Sequence, residues 1–242
     1  MSVPTLFISD LHLTSERPLG VSLFQRFLSA VAPGAPALYI LGDLFEAWVG
    51  DDDLCAPLNT SVTAALKQLA DSGTHIFCIQ GNRDFLLGGR FAEAAGLSLL
   101  ADPSVIDLYT TPTLISHGDA WCTDDKPYQA FRAQVRDPAW QTATLNRPLS
   151  ERHAMARAMR EQSASAKHNV KPDIMDVNVE AIENAFRRHG VKRMIHGHTH
   201  RPARHDHKVD GADCVRWVLP DWYETGGYLA CDADGCRLLN LA

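Results

Sequence analysis

The chain has 242 residues, 45% of them apolar and 21% charged, and a formal net charge of -6. Those values describe a globular protein with a full-sized core, and they exclude a disordered, fibrous or disulfide-dense chain. No apolar run approaches the roughly 20 residues that a membrane helix requires.

In chain order the elements alternate as in a layered α/β fold. Thr5–Ser9 reads as a strand, and Leu23, Phe24, Phe27, Leu28 and Val31 then share one helical face. Ala37–Leu41 is a second strand, followed by a loop rich in Asp and Gly. Val62, Ala65, Leu66, Leu69 and Ala70 mark another amphipathic helix, and Ile76–Ile79 a third strand. Thr113–Ser116 and Arg193–His196 predict further strands, with a helix over Val179–Phe186 between them. Beyond Cys214 the pattern is strand-like again, with Gly226-Gly227 as a turn.

The stretch 123–172 differs. It carries helical stripes (Tyr128, Phe131 and Val135, then Ala154, Met155, Ala158 and Met159) and no strand. It is expected to be a helical cap inserted into a core made of residues 1–122 and 173–242. Between Trp121 and Pro172 nine Lys and Arg stand against five acids, so the segment is +4 on a body of -10. A basic segment on an acidic body suits an anionic substrate or surface met in one place, although a solvated helical face would carry the same charges. The acidic body argues against a nucleic-acid partner. The six cysteines, at 55, 78, 122, 214, 231 and 236, form no C-x-x-C pair and are read as reduced thiols. The N-terminus lacks a basic stretch and a cleavage site, so a cytoplasmic chain is expected.

Five polar motifs each follow directly on an apolar run: Asp10-Leu11-His12, Gly42-Asp43, Gly81-Asn82-Arg83-Asp84, His117-Gly118-Asp119 and Gly197-His198-Thr199-His200. Open α/β sheets place their sites in loops at the carboxyl ends of strands. One Asp-x-His triplet arises easily by chance, whereas five such motifs at strand ends do not. Carboxylate oxygen, imidazole nitrogen and amide oxygen together suit Mn, Fe or Zn. A carboxylate can bridge two cations, and Asp43 is the natural bridge. Two metals about 3.5–4 Å apart can activate a water and stabilise phosphoryl oxygens together.

The order D-x-H, G-D, G-N, H, G-H-x-H resembles the calcineurin-like metallophosphoesterases. Longer stretches, among them Phe7–Leu13, Tyr39–Trp48, Gly81–Leu86, Ile174–Asn178 and His196–Pro202, are similar to one member family, the UDP-2,3-diacylglucosamine diphosphatases of lipid A biosynthesis. The resemblance implies a four-layer α/β/β/α metallophosphoesterase sandwich with a helical cap insertion. It implies two Mn2+ per chain, with Mg2+ as the alternative. One metal would take Asp10, His12, Asp43 and His200, and the other Asp43, Asn82, His117 and His198; Arg83 completes the catalytic set. The implied substrate contacts are Asn82, Arg83, Asp125, Ser163, Lys167, Lys171 and His198. The implied reaction is hydrolysis of a UDP-linked diacylglucosamine to UMP and the acylated sugar 1-phosphate, by attack of metal-activated water on the α-phosphorus. A monomer attached peripherally to the cytoplasmic face of the inner membrane is expected. The alternative is another dinuclear phosphoesterase, such as a dinucleoside polyphosphate hydrolase or a nuclease.

One residue bears on the leaving group. The wider superfamily carries His after the Gly-Asn pair, where this chain has Arg83. Arginine cannot give up a proton. A phosphate monoester has a second pKa near 6 and departs without one, while the guanidinium fork grips phosphate oxygens. Of the other histidines, His196 is expected to be packed beneath the site, and His205 and His207 to lie in a solvated loop.

Overall fold

The computed structural model of the chain describes residues 3–167 and 176–241, with the backbone alone for 163–167. Two sheets lie face to face. In the first, β1 (Thr5–Ile8), β2 (Ala37–Leu41), β3 (His75–Ile79) and β4 (Leu97–Leu100) run parallel. A hairpin of β10 (Gly227–Asp232) and β11 (Gly235–Asn240) joins antiparallel at the free edge of β1. The second sheet has the order β5 (Ser104–Leu108), β6 (Thr111–Ser116), β7 (Arg193–His196), β9 (Ala212–Val218), β8 (Ala203–Val209). Its three central strands are parallel.

The central strands are buried on both faces, so β1 and β2 are apolar at nearly every position, while the edge strand β8 alternates. In β1, Leu6 and Ile8 turn toward the helices α1 (Pro18–Ala30), α2 (Pro57–Asp71) and α3 (Gly89–Ala95). Phe7 turns the other way, joining Leu41, Ile79, Ile115, Ile195 and Leu229 between the sheets. Register then stacks Phe7 on Tyr39 and Tyr39 on Phe77, with ring centroids 4.9 Å apart in both pairs. On the far side α7 (Val179–His189) lays Ile182, Ala185 and Phe186 against Leu114 and Met194. Asn178 caps that helix by accepting a bond from Ala181 N, and Gly190 ends it in the left-handed conformation. The architecture is therefore a four-layer α/β/β/α sandwich. Truncating a wedge such as Phe27, fully buried beside Trp222, would cost about 3–5 kcal/mol.

Among the described residues three α-helices lie between β6 and α7: α4 (Lys126–Val135), α5 (Pro138–Leu145) and α6 (Leu149–Lys167). Asp125 and Asp137 cap the first two by accepting from Tyr128 N and Trp140 N, each with proline in the first turn. Their cations reach back to the sandwich. Arg132 Nε meets Asp119 at 2.9 Å, Arg136 bonds the carbonyls of Gln80 and Gly81, and Arg152 bonds Asp52 and the carbonyl of Val49.

The structure corrects three local expectations. His205 and His207 belong to β8 and are half-buried on its inner face, because the alternating ARHDHKV run was too polar to read as a strand. Gly227 opens β10 instead of sitting in a turn, and a side chain on Gly226 would strike Leu241 and Trp222. Cys231 and Cys236 face each other across the β10–β11 hairpin and pair as a disulfide, while Cys55, Cys78, Cys122 and Cys214 are free thiols. Among the described residues no helix is long and apolar enough to cross a membrane.

Candidate metal centre

The carboxyl ends of β1, β2 and β3 meet those of β6 and β7 where the sheets face each other. Backbone bonds lace the loops there: Asp10 N to Gly42 O, His12 N to Asp43 O, and Gly197 N to His117 O. Across the gap, Asp10 Oδ2 accepts from His198 N at 2.8 Å. Gly42 and Gly197 make this close approach possible. A side chain on Gly42 would collide with the His117 ring, and one on Gly197 with Asp10 and Ser9.

All seven expected ligands come together. His200 Nε2 lies 3.3 Å from Asp10 Oδ1, and His12 Nε2 lies 3.4 Å from His200 Nε2 and 3.6 Å from Asp43 Oδ2. On the other side His117 Nε2 is 3.8 Å from the same Asp43 oxygen. Asn82 Oδ1 sits 2.9 Å from both His117 Nε2 and His198 Nδ1. Asp43 therefore presents Oδ2 to both halves, while its Oδ1 accepts from Arg83 N at 2.7 Å. A bridge at Asp43 would use Oδ2, while Oδ1 fixes the loop that carries Arg83.

The backbone is strained at these positions. Eight non-glycine residues among those described have positive φ, and five of them are Asp10, His12, Asp43, His198 and His200. Each costs roughly 1–3 kcal/mol and persists only where the surroundings enforce it. Asp10 Oδ1 is buried against the His200 ring, 3.3 Å away, and ring nitrogens crowd against one another and against carboxylates. A divalent cation pair relieves both conditions, so the donor set fits one.

The charges are strongly perturbed. Burial works to raise the Asp10 pKa, but the bond from His200 and the charges of His117 and His12 hold it below the usual carboxylate range. Burial works to lower that of His117, yet Asp43, Asp10 and Asp119 raise it to about 9. His198 is pushed down to about 4 by burial and then by the charge of His117. Asp84 is raised to about 6 by burial and by Asp43.

Asp84 was not read as a site residue, although it stands in the Gly81–Asp84 motif. Fully buried, it accepts from Gly81 N and Leu44 N at 2.7 Å and from Asp43 N at 3.3 Å, tying the loops after β2 and β3 together. Its service is to backbone donors, which residue type alone does not reveal. Asp119 is likewise buried and takes 2.7 Å and 2.9 Å bonds from Tyr128 and Arg132 of α4. His196 is buried as expected, its ring nitrogens 2.8 Å from Gly197 O and 3.0 Å from Arg216 Nη1.

Beside the centre opens a cavity of about 440 Å³. Asn82, Arg83, His198 and His200 border it, and Phe85, Tyr128, Phe131, Trp140, Met155 and Met159 give it apolar walls. Val135 and Ala158, expected in the same stripes, are not on this wall: Val135 is buried in the core and Ala158 is exposed. Asp125 borders the cavity but spends Oδ1 on the cap of α4. Ser163 and Lys167 fall on the last turns of α6, where the backbone alone is described, and Lys171 lies outside the described residues.

Residues 3–202 match the calcineurin-like phosphoesterase family. A UDP-2,3-diacylglucosamine hydrolase of Aromatoleum aromaticum is 54% identical over 95% of this chain and 94% of that one. The protein of the same name from Stenotrophomonas maltophilia (strain K279a) is 53% identical over 98% of both. The chain belongs to this family. A third member, from Hahella chejuensis, is 48% identical over 99% of this chain and 98% of its own length. Family membership makes this chain a hydrolase of the metallophosphoesterase type.

Proposed function

We propose that this chain hydrolyses the pyrophosphate of UDP-2,3-diacylglucosamine, releasing UMP and 2,3-diacylglucosamine 1-phosphate in lipid A biosynthesis. The observation that carries the reading is that the residue cluster opens, through Asn82, His198 and His200, onto a largely apolar cavity bordered by arginine. A charged diphosphate and its acyl chains need just that adjacency. A nuclease or dinucleoside polyphosphate hydrolase could stack a base on an aromatic ring, but a wall that joins Phe85, Phe131 and Trp140 to Met155 and Met159 suits acyl chains better.

Asp10, His12, Asp43 and His200 would hold one cation, and Asp43, Asn82, His117 and His198 the second. Mn2+ is the first candidate for this mixed oxygen and nitrogen set. Bound there, the pair supplies Lewis acidity and lowers the pKa of water. Asp43, pinned through Oδ1 by the Arg83 amide, keeps Oδ2 aimed between the two histidine groups. Among the described residues the Arg83 guanidinium has Glu46 3.9 Å away and a buried Nε without a hydrogen-bond partner. It is available to clamp phosphoryl oxygens through two parallel bonds. Burial leaves His198 neutral, so it can act as a ligand without first losing a proton. No residue must protonate the leaving group, because a sugar 1-phosphate departs as an anion.

The basic, amphipathic helices α4 and α6 suit a monomer that works at the cytoplasmic face of the inner membrane, where its lipid substrate resides. The test is release of UMP from UDP-2,3-diacylglucosamine by purified protein with and without added Mn2+, and after a chelator. Turnover that is abolished by chelation and restored by Mn2+ is expected. Hydrolysis of dinucleoside polyphosphates at a greater kcat/KM than the lipid would overturn the reading.

A further inference from the structure

Four arginines border the cavity beside the metal centre: Arg83, Arg152, Arg160 and Arg201. Two are already engaged. Arg152 is bonded by Asp52 and by the carbonyls of Val49 and Arg147, and Arg201 pairs with Asp176 at 2.6 Å. Arg83 has Glu46 at the edge of ion-pair range. Arg160 stands apart. Its Nε is buried with no hydrogen-bond partner, and among the described residues no carboxylate lies within ion-pair distance of it. Withdrawing a guanidinium N–H from water without an acceptor is unfavourable, so a group of the opposite charge belongs beside it.

We propose that Arg160 is a second phosphate-binding arginine, gripping the sugar-side phosphoryl group of the diphosphate while Arg83 and the metal centre hold the nucleotide-side one. The assignment rests on the pyrophosphatase reading above. Its place on α6 selects the phosphoryl. Met155, Ala156, Met159 and Arg160 all face the cavity at helical spacing, so the cation sits directly beside the apolar wall. An anionic group attached to acyl chains would find both partners on one helix face. The nucleotide-side phosphorus must instead lie at the ligand cluster, where a cation pair would activate the attacking water.

The chemistry gives this contact a purpose. As the oxygen of water bonds to the α-phosphorus, the bond from that phosphorus to the bridging oxygen breaks. The electron pair stays on the bridging oxygen, which leaves with the sugar-side phosphoryl group, and the protons of the water pass to solvent. Negative charge therefore grows on the group that Arg160 would hold, and a guanidinium fork stabilises it through two N–H bonds. The alternative is an arginine that lies along the cap and covers apolar surface with its stem.

The full chain loaded with Mn2+ decides between them, using Arg160→Gln and Arg160→Lys. Three quantities are measured: kcat/KM on UDP-2,3-diacylglucosamine, Kd for diacylglucosamine 1-phosphate, and Kd for the same glycolipid without phosphate. Arg160→Gln is expected to lower kcat/KM and weaken the 1-phosphate by roughly 10- to 100-fold, with the phosphate-free lipid within about twofold. Arg160→Lys keeps the charge but loses the fork, and recovers part of the loss. Equal weakening of both lipids, or no weakening of either, would overturn the assignment. If the parent protein fails to release UMP, the pyrophosphatase reading falls, while the ratio of the two lipid affinities still decides whether Arg160 binds phosphate.

Discussion

The ligand loops and the cap helices are held by different means. The loops after β1, β2, β3, β6 and β7 are laced by backbone bonds, by glycines that admit no side chain, and by the buried carboxylate of Asp84. Five of their side chains sit in a strained backbone conformation that only a dense surround can enforce. The cap instead is tied down by a few long side chains, Arg132 on Asp119, Arg136 on two carbonyls and Arg152 on Asp52, and by Val135, Phe131 and Trp140 against the core. Elsewhere between it and the loops lies an open cavity. Reactivity here depends on fixed atom positions, and substrate choice on volume and wall chemistry. The two regions should therefore fail differently when perturbed.

The largest effect is expected in the loops. Asp43→Ala removes the oxygen shared by both halves of the ligand cluster, and activity should fall by at least about 1,000-fold, equivalent to some 4 kcal/mol. Metal analysis should find fewer than two cations per chain. An Asp43→Ala protein holding two tight cations at near-parent turnover would refute the bridging role. The same cluster predicts how pH acts on loading. His117 in the cation-free protein keeps a proton up to about pH 9, because Asp43, Asp10 and Asp119 overcome burial. A cation at Nε2 must displace that proton, so apparent affinity falls as pH drops below 9, by up to roughly 100-fold at pH 7. Calorimetric titration in buffers of different ionisation enthalpy should detect about one proton released per chain from this residue.

The cap should respond to the lipid and not to the metal. Removing four methylenes from each acyl chain forfeits up to about 6 kcal/mol of apolar transfer, of which ordering of the chains returns a large part. A loss of roughly 100-fold in kcat/KM at fixed detergent concentration is the expected result. Met159→Asp should weaken the lipid comparably while leaving cation content unchanged. A flat dependence on chain length would make the cavity incidental to substrate choice.

Arg83 joins the two regions, since its amide fixes Asp43 and its guanidinium enters the cavity. Arg83→Lys keeps the amide and the charge but loses the fork, so cation content should hold while kcat/KM falls roughly 10- to 50-fold. Arg83→His should not restore the pyrophosphate reaction. A histidine variant with parent activity on the diphosphate would remove the basis for reading Arg83 as a clamp.

The same contrast explains what could be read from the residues. The residues that gather at the candidate metal centre are legible because carboxylate, imidazole and amide donors come from few residue types, and because each stands at the end of an apolar run that forms a strand. The layered fold followed from those runs, with β4, β5 and β8 overlooked where alternation was short or polar. Cap stripes marked helices but not their walls: Val135 and Ala158 share the period of Phe131 and Met155, yet neither lines the cavity. Asp84 and Arg136 escaped notice because they serve backbone groups, and which backbone comes within reach is decided only by the fold. Cys231 and Cys236 are brought together by strand register, which spacing alone does not report.

The smallest and most discriminating effect concerns Arg136, the strut between the two regions. From the C-terminus of α4 its Nη2 donates to Gln80 O and Gly81 O at 3.0 Å each, and Nη1 reaches Gln80 Oε1 at 3.3 Å. Those carbonyls immediately precede Asn82 and Arg83, so a cap side chain sets the pose of a ligand loop from behind. If the regions were independent, Arg136→Gln would alter stability alone. If the strut positions the loop, kcat should drop about 3- to 10-fold, matching one charged hydrogen bond partly replaced by water. KM for the lipid should stay nearly constant, because the cavity walls are untouched. The Mn2+ concentration needed for half-maximal activity should rise, since Asn82 is displaced from His117 and His198. Arg136→Lys can still reach one carbonyl and should recover part of kcat. A higher KM at unchanged kcat and unchanged Mn2+ requirement would instead place Arg136 in the service of the cap, and would leave the ligand loops held by the core alone.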